Sequence, residues 1–348
     1  MKLLNCLDNF KGYKNHLYLF ELVNKKAGLY GYIAIHNTNR GPAVGGTRIY
    51  SYKTNKEAIE DAFSLSEAMT YKCALANVPY GGGKGVIILS EGKQKTKSLL
   101  KAYAHEVNKL KGLFYTGEDV GVTEEDVQIM LQESNFFIGK KNQAGDPSPF
   151  AALSTFFSIQ EALKYKYGED SLKNKTIAIK GMGKVGKRLA ELCKEAGAHI
   201  FIADINKNGL GALKEKHGNI QIIEPSLIHT LTVDVYAPCA LGNEFTEKNI
   251  QQINAKIICG AANNQLSNTA IGNEMFKKGI LYVPDYIANA GGLIDVVDEL
   301  NPKGYNGERV LKNIRKVRKT VSLVLKTSKK LKKPTHIIAD EFAHKKVM

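Results

Sequence analysis

The chain has 348 residues, and 49 Lys or Arg against 34 Asp or Glu give a formal net charge of +15. Hydrophobic residues at 43% and charged residues at 24% exclude disorder over the whole chain. No apolar run is long enough for a transmembrane helix, and the N-terminal apolar stretch is too short for a signal peptide. Widely spaced cysteines without a CxxC pair predict reduced thiols in a cytoplasmic protein. These cysteines are Cys6, Cys73, Cys193, Cys239 and Cys259.

Residues 1–145 predict a first domain in which strands and helices are mixed. The run LYGYIAI at 29–35 is rich in aromatic and β-branched residues and predicts a strand. Apolar residues at helical spacing predict a helix over 56–69, and GVIIL at 85–89 predicts a buried strand. Further helices are predicted over 98–109 and 123–133.

Two lysines and an aspartate are candidates for chemistry in this domain. Lys72 follows the first predicted helix, and Lys84 ends a glycine run, YGGGKG, predicted as a turn that wraps closely around a ligand. Two lysines converging on one cleft would lower each other's pKa, and a neutral lysine can act as a general base. Asp119, in TGEDVG, could move protons. From spacing alone, however, such a lysine is more often exposed than catalytic.

A second domain is predicted over 146–297, after the helix-breaking segment GDPSP at 145–149. A helix is expected over 151–165. Short apolar runs then alternate with helical segments, which predicts a doubly wound parallel sheet. The predicted strands are 176–180, 199–203, 233–237, 256–259 and 280–283.

A glycine fingerprint joins the first of these strands to a helix. The spacing GxGxxG is formed by Gly181, Gly183 and Gly186. These glycines would allow a tight turn, the approach of a pyrophosphate to the backbone, and close packing of the helix on the sheet. Asp204 ends the next strand, where a carboxylate can bind an adenosine ribose and repel a 2′-phosphate, so NAD is favoured over NADP. The alternative is a glycine-rich turn without a ligand. The intervening cofactor candidates are Met182, Lys184 and Val185.

The tail, 298–348, is predicted to be helical and to pack back on the first domain. Residues 301–348 carry 14 Lys or Arg and 3 Asp or Glu, so +11 of the net charge lies there. An apolar stripe at helical spacing favours a solvated amphipathic helix over a nucleic-acid or membrane patch, since no aromatic residue is interleaved to stack on bases. The stripe is Val310, Ile314, Val317, Val321 and Val324.

Several motifs together carry a resemblance that spans the chain from about residue 10 to the tail. They are GPAVGGTR (41–48), MTYKCALANVPYGGGKGVI (69–87), TGEDVGVT (116–123), KGMGKVG (180–186), VYAPCALGN (235–243), ICGAANNQL (258–266), PDYIANAGGLIDVVDEL (284–300) and PTHIIADEFA (334–343). In these motifs the sequence resembles the Glu/Leu/Phe/Val dehydrogenase family, and most of all its leucine, phenylalanine and valine dehydrogenase branch.

The resemblance implies an α/β protein with an N-terminal catalytic domain and a C-terminal Rossmann domain. It makes Lys84 catalytic, Lys72 the ligand of the substrate's α-carboxylate, and Asp119 a proton shuttle. Asn289 would help to bind the substrate and place the nicotinamide. Residues matched to NAD contacts are Pro238, Cys239, Ala240 and Asn263.

Substrate choice follows from smaller signals in the same comparison. Glutamate-specific relatives place a lysine in the glycine-rich stretch where this chain has Val44, Gly45 and Gly46, so a neutral side chain is favoured. Gly117 would leave room for leucine, or for an aromatic substrate. Ala151 and Ser154 depart from the threonine and glycine typical of the branch, so a hydroxyl contact to the nicotinamide carboxamide is expected to be missing.

The predicted function is NAD-dependent, reversible oxidative deamination of a branched-chain L-amino acid. Substrate and cofactor would meet in the cleft between the domains. An aromatic amino acid dehydrogenase and a non-catalytic NAD-binding relative remain alternatives. The scattered histidines predict no metal site. Small molecules are the expected partners, with no nucleic acid and no membrane, and the family relationship implies a homo-oligomer.

Overall fold

The computed structural model describes residues 1–5, 7–207, 210–211, 213 and 220–348. Contacts between Cα atoms divide the chain into two compact units. The first contains 1–146, 295–307 and 343–348, and the second contains 147–294 and 308–342. The boundary after residue 146 falls within the GDPSP segment.

The first unit is built on a mixed β-sheet. Its strands are β1 (Lys2–Leu3), β2 (Tyr18–Asn24), β3 (Leu29–Asn37), β4 (Ala43–Val44), β5 (Thr47–Tyr50), β6 (Gly81–Ile88) and β7 (Phe114–Tyr115). Their spatial order is β1-β2-β3-β6-β4-β7, and β5 also pairs with β6. β3 pairs antiparallel with β6, whereas β4 and β5 run parallel to it. β6 is therefore where the antiparallel and parallel parts of the sheet meet.

Three helices of this unit begin at threonine caps. They are α1 (Asn55–Ala76), α2 (Lys97–Asn108) and α3 (Glu124–Leu131). The side chains of Thr54, Thr96 and Thr123 each accept a backbone N–H from the first turn, which satisfies a donor that has no partner within the helix. α1 runs beyond the predicted 56–69 to Ala76 and is capped by Asn77, which takes a left-handed φ of 58°.

The two faces of the sheet are covered by different helices. α1 packs on the face that carries Tyr32 and Val86, and α2 packs on the face that carries Ile33 and Ile87. This alternation is the period of two that a β-strand imposes on its side chains.

The glycine run before Lys84 differs from its prediction as a turn that wraps a ligand. Gly81, Gly82 and Gly83 are the first residues of β6, so Lys84 lies within a strand and not after a turn. A β-carbon at Gly82 would lie 2.2 Å from the Thr70 backbone nitrogen of α1. Gly82 is therefore required because α1 crosses this strand at very short range, whereas β-carbons at Gly81 and Gly83 would meet the Asn37 carbonyl oxygen and the Phe114 ring.

The second unit contains a parallel sheet. Its strands are β8 (Thr176–Lys180), β9 (His199–Ala203), β10 (Ile220–Ile222), β11 (Val235–Pro238), β12 (Ile257–Ile258) and β13 (Leu281–Tyr282). The spatial order is β10-β9-β8-β11-β12-β13, with every neighbouring pair parallel. This confirms the predicted α/β fold with a parallel sheet. β10, at the edge of this sheet, was not among the predicted strands.

The tail differs from the prediction that all of it packs on the first domain. Helices from the second unit onward are α4 (Ser148–Tyr167), α5 (Lys184–Glu195), α6 (Thr269–Lys277), α7 (Asp285–Ala288), α8 (Gly291–Val297), α9 (Gly307–Arg315), α10 (Val317–Leu331) and α11 (Thr335–Val347). α10 packs on α4 and α7, and residues 308–342 group with the second unit. The reason is the apolar stripe, since Val317, Val321 and Val324 are buried in these contacts.

Candidate active site

Lys84 points from β6 to the face of the sheet that α1 covers. β-carbons at the neighbouring Gly83 and Gly85 would meet side chains on the opposite face, so alternation along the strand sets this direction. Lys84 is only 4% exposed. Its Nζ lies 3.0 Å from Oδ2 of Asp119. The structure therefore brings together two of the residues that the sequence singled out.

Burial and charge act on this pair in opposite directions. Burial lowers the pKa of the Lys84 amine, although Asp119 opposes the change, and the nearby Arg48 adds to the lowering. Burial alone would raise the pKa of Asp119, but Lys84 and Arg48 lower it to about 2. Asp119 is therefore held as an anion, and the amine is easier to deprotonate than an ordinary lysine.

Arg48 is part of this cluster, and the sequence reasoning missed it. Its Nε donates to Asp119 Oδ2 at 2.9 Å, and its Nη1 donates to Asp61 Oδ2 at 3.0 Å. The Tyr52 hydroxyl donates to the same Asp61 oxygen at 2.5 Å. The only signal was the position of Arg48 in GGTR, since Asp61 on α1 carries no motif at all.

The turn that carries Asp119 is fastened to β5. The N–H groups of Thr47 and Ile49 donate to the carbonyls of Gly117 and Val120, both at 2.9 Å. These bonds lie on either side of Asp119 in the chain. The backbone of β5 therefore fixes the position of the Asp119 carboxylate relative to the sheet.

The predicted substrate residues around GPAVGG are packed against neighbouring backbone. A β-carbon at Gly45 would lie 1.9 Å from the Gly83 carbonyl oxygen, and one at Gly46 would lie 2.3 Å from the Glu118 carbonyl oxygen. Val44 is fully buried in β4.

Gly117 does not leave the open space that the sequence reasoning expected. A β-carbon there would lie 2.7 Å from the Ile138 carbonyl oxygen. Close backbone packing explains this glycine, and a larger residue would require the chain to shift.

Lys72 lies on α1, four residues before the helix ends, and is half-buried. Two residues earlier, Thr70 packs directly over Gly82 of β6. The helix that carries Lys72 therefore crosses the strand that carries Lys84, on the face to which Lys84 points.

In the second unit, the glycine turn joins β8 to α5. Gly181 takes a φ of 97°, which favours glycine, and a β-carbon at Gly186 would lie 1.9 Å from the Gly181 carbonyl oxygen. Gly183 is exposed at the N-terminus of α5, and a β-carbon there would meet nothing within 4 Å. Lys184 is also exposed, Val185 is half-buried, and Met182, within the turn, is buried. An open backbone at a helix N-terminus is a suitable place for a phosphate group.

Asp204 follows β9 and faces this turn. Its Oδ2 accepts the Met182 N–H at 2.5 Å, and its Oδ1 accepts the Asn206 N–H at 2.8 Å. The carboxylate is half-buried and holds the glycine turn against the end of β9.

Residues 238–240 lie next to the same turn. The Cys239 N–H donates to the Lys180 carbonyl at 2.7 Å, and a β-carbon at Gly181 would lie 2.6 Å from the Ala240 nitrogen. Pro238 ends β11. Burial raises the pKa of the Cys239 thiol to about 12, so a nucleophilic thiolate is not expected here.

Asn263 and Asn289 form a polar pair. The Asn289 amide donates to Asn263 Oδ1 at 2.8 Å and to the Ala261 carbonyl at 3.0 Å. Asn289 Oδ1 is buried and has no hydrogen-bond partner among the described residues. An unpaired buried acceptor is costly, and an amide or ammonium group of a ligand could satisfy it. This oxygen and the open Gly183 backbone both fit a nicotinamide dinucleotide.

Ser154 has a structural role. Its hydroxyl donates to the Ala288 carbonyl at 2.8 Å and accepts the Gly291 N–H at 2.9 Å. These bonds bracket Asn289 and tie it to α4. Ala151 lies beneath Gly292 in the same contact.

The described residues contain no cluster of three or more His, Cys, Asp or Glu that could hold a metal ion. Within the described ranges, no helix is long and apolar enough to cross a membrane. Cys73, Cys193, Cys239 and Cys259 are free thiols, whereas Cys6 lies outside the described residues.

Two family models match the chain. Residues 17–140 match "Glu/Leu/Phe/Val dehydrogenase, dimerisation domain". Residues 202–348 match "Glutamate/Leucine/Phenylalanine/Valine dehydrogenase".

Individual proteins resemble the chain over most of its length. It is 43% identical to phenylalanine dehydrogenase of Lysinibacillus sphaericus over 311 residues, covering 87% of this chain and 81% of that protein. It is 40% identical to leucine dehydrogenase of Bacillus subtilis (strain 168) over 327 residues, covering 93% and 89%. The crystal structure of L-tryptophan dehydrogenase from Nostoc punctiforme matches with a TM-score of 0.84 and 37% identity, covering 96% of each chain.

Proposed function

Because the chain belongs to the Glu/Leu/Phe/Val dehydrogenase family of oxidoreductases, we propose that it catalyses the reversible oxidative deamination of a neutral branched-chain L-amino acid. The products are the 2-oxo acid and ammonium. The observation that carries the proposal is the buried contact between the Lys84 amine and Asp119. A lysine with a lowered pKa beside a fixed carboxylate is suited to general acid–base chemistry.

Lys84, Asp119 and Lys72 have separate roles in the proposed reaction. Lys72 binds the α-carboxylate of the substrate and so orients its Cα. Lys84, in its uncharged form, accepts a proton from the water that attacks the imino carbon. Asp119 transfers protons to and from the substrate nitrogen. A positioned acid–base group of this kind contributes roughly 100- to 10,000-fold in rate.

The cofactor proposed is NAD, which when bound would accept the hydride from Cα; the family is NAD(P)-dependent. The proposed site consists of the glycine turn with Met182, Lys184 and Val185, followed by Asp204, residues 238–240, Asn263 and Asn289. Asp204 supports NAD over NADP, since a carboxylate repels a 2′-phosphate. We assign residues 1–145 to the substrate domain and 146–297 to the cofactor domain.

The neutral side chain of the substrate is proposed from Val44, Gly45 and Gly46, none of which offers a charge to a second carboxylate. The named relatives act on leucine, phenylalanine and tryptophan at similar identity to this chain. An aromatic substrate is therefore the second candidate. One methylene in an apolar pocket is worth only about 1–3 kcal/mol in discrimination.

The proposal extends to the assembly and location of the protein. A homo-oligomer is supported by the description of the first family model as a dimerisation domain. Free thiols among the described residues support a cytoplasmic location.

A substrate panel tests the function directly. NADH formation is followed with leucine, valine, isoleucine, phenylalanine, tryptophan and glutamate, each with NAD and with NADP. The highest kcat/KM is expected for a branched-chain substrate with NAD. A preference for phenylalanine or tryptophan would support the second candidate. NAD binding without turnover of any amino acid would instead identify a non-catalytic relative.

A further inference from the structure

We propose that Arg48 is a positioning residue for this deamination, which fixes Asp119 so that one carboxylate oxygen is occupied and the other remains available to the substrate nitrogen. This role rests on the proposed function for the identity of the reaction. Its geometry rests on contacts within the first unit alone.

The two cations of the cluster share a single oxygen. Asp119 Oδ2 accepts from Arg48 Nε at 2.9 Å and lies 3.0 Å from Lys84 Nζ. Among the hydrogen bonds of the described residues, none reaches Asp119 Oδ1, and the Asp119 side chain is 21% exposed. The carboxylate is therefore anchored at one end and accessible at the other.

Arg48 is itself held on its far side. Its Nη1 donates to Asp61 Oδ2 at 3.0 Å, and the Tyr52 hydroxyl donates to that oxygen as well. A guanidinium group is planar and presents its donors in a rigid fork, so two carboxylates at different edges fix its orientation. Asp61 lies on α1, and Arg48 therefore connects this helix to the Asp119 turn.

The backbone near Arg48 acts on the same turn. Thr47 and Ile49, its chain neighbours, donate to the carbonyls of Gly117 and Val120. A β-carbon at Gly46, just before β5, would lie 2.9 Å from the Asp119 β-carbon, so the turn packs directly on this segment. Side chain and backbone together leave Asp119 little freedom to rotate.

Removal of the Arg48 charge should shift the pH dependence of the reaction, which the loss of a purely structural ion pair would not do. Lys84 would lose a positive neighbour, so its pKa would rise, and the acid limb of the kcat/KM profile would move to higher pH by about one unit. Asp119 would also lose its anchor, so kcat would fall by about tenfold or more. KM should change less, because Lys72 binds the substrate carboxylate independently.

The test compares Arg48→Met with Arg48→Lys and with a matched control. Arg318 in α10 also bridges two carboxylates, Glu161 at 3.2 Å and Asp170 at 2.7 Å, with 27% of its side chain exposed against 22% for Arg48. Arg48→Met should shift the acid limb of the kcat/KM profile to higher pH. Arg48→Lys should return the limb to its wild-type position, and Arg318→Met should not shift it. Loss of activity without any shift in Arg48→Met, or an equal shift in Arg318→Met, would overturn the proposal.

Two further measurements keep the proposal testable if Arg48→Met folds poorly or the wild type shows no turnover. Asp61→Asn retains the positive charge of Arg48 and removes a negative charge, so the acid limb of its kcat/KM profile should lie at the wild-type pH or at a lower pH. A shift to higher pH would count against the role of Arg48. Competitive acetylation of Lys84 at a series of pH values, read by peptide mass spectrometry, reports its titration without turnover. A wild type without turnover would refute the proposed function, whereas identical Lys84 titration in the wild type and in Arg48→Met would refute the role of Arg48.

Discussion

The substitution Asp295→Asn is expected to stabilise the fold at alkaline pH and to change it little at acid pH. Asp295 in α8 is fully buried, and its Oδ1 accepts a hydrogen bond from the Tyr305 hydroxyl at 2.8 Å. Its Oδ2 is buried without a partner among the described residues. Burial raises the pKa of Asp295 to about 7; the Tyr305 bond opposes this, and the negative charges of Glu299, Asp298 and Asp146 add to it.

The direction of this pH effect follows from the number of protons that the folded and the unfolded chain bind. An unfolded Asp carboxyl has a pKa of about 3.9, so between about pH 4 and about pH 7 the folded chain keeps a proton that the unfolded chain has released. The free energy of unfolding therefore falls as the pH rises through this window. A difference of about three pKa units corresponds to ~4 kcal/mol as an upper limit. Asparagine carries no charge at any of these pH values, and its amide oxygen can still accept from Tyr305.

Urea unfolding at about pH 5 and about pH 8 measures the effect. The variant should gain stability relative to the wild type at the higher pH, and the gain should be much smaller at the lower pH. Asp170→Asn is the matched control, because the Arg318 hydrogen bond lowers the pKa of Asp170. That variant should gain nothing at the higher pH. If the free energy of unfolding of Asp295→Asn differed from that of the wild type by the same amount at both pH values, the reasoning would be refuted.

Three other predictions test the sites, the last of them with a control substitution. Lys84→Met should lower kcat by about 100- to 10,000-fold and leave NAD affinity unchanged by calorimetry, since Arg48 still pairs with Asp119; retained turnover would disprove the assigned role. Asn289→Ala should weaken NAD binding by about two- to tenfold, the value of one hydrogen bond, and an unchanged dissociation constant would contradict its role. Gly186→Ala should cost about 1–3 kcal/mol in unfolding free energy because its β-carbon meets backbone, while Gly183→Ala, in open space, should cost far less; similar losses would show that the close packing is not the cause.

Local features of the molecule were readable from the sequence. β8 and β9 occupy the predicted ranges 176–180 and 199–203, because a short apolar run is encoded within a few residues. The same applies to the threonine that begins α3. The family motifs also indicated an amino acid dehydrogenase, since they are short contiguous segments.

Long-range packing decided the features that the sequence reasoning missed. Gly82 and Gly117 appeared to serve a ligand or a pocket, yet each is needed where another segment, Thr70 or Ile138, passes too close for a β-carbon. The destination of α10 was not visible either, because an apolar stripe shows that a helix is buried but not what covers it.

The acid–base cluster shows most clearly the difference between features that the sequence encodes locally and features that long-range packing decides. The sequence by itself identified Lys84 and Asp119 as chemically suitable residues, because glycine-flanked lysine and aspartate stand out in short motifs. Only the tertiary structure brought Arg48 and Asp61 to them, from a strand and a helix that pack on β6. A charge's effect depends on its distance and burial, and both are set by residues far apart in the chain.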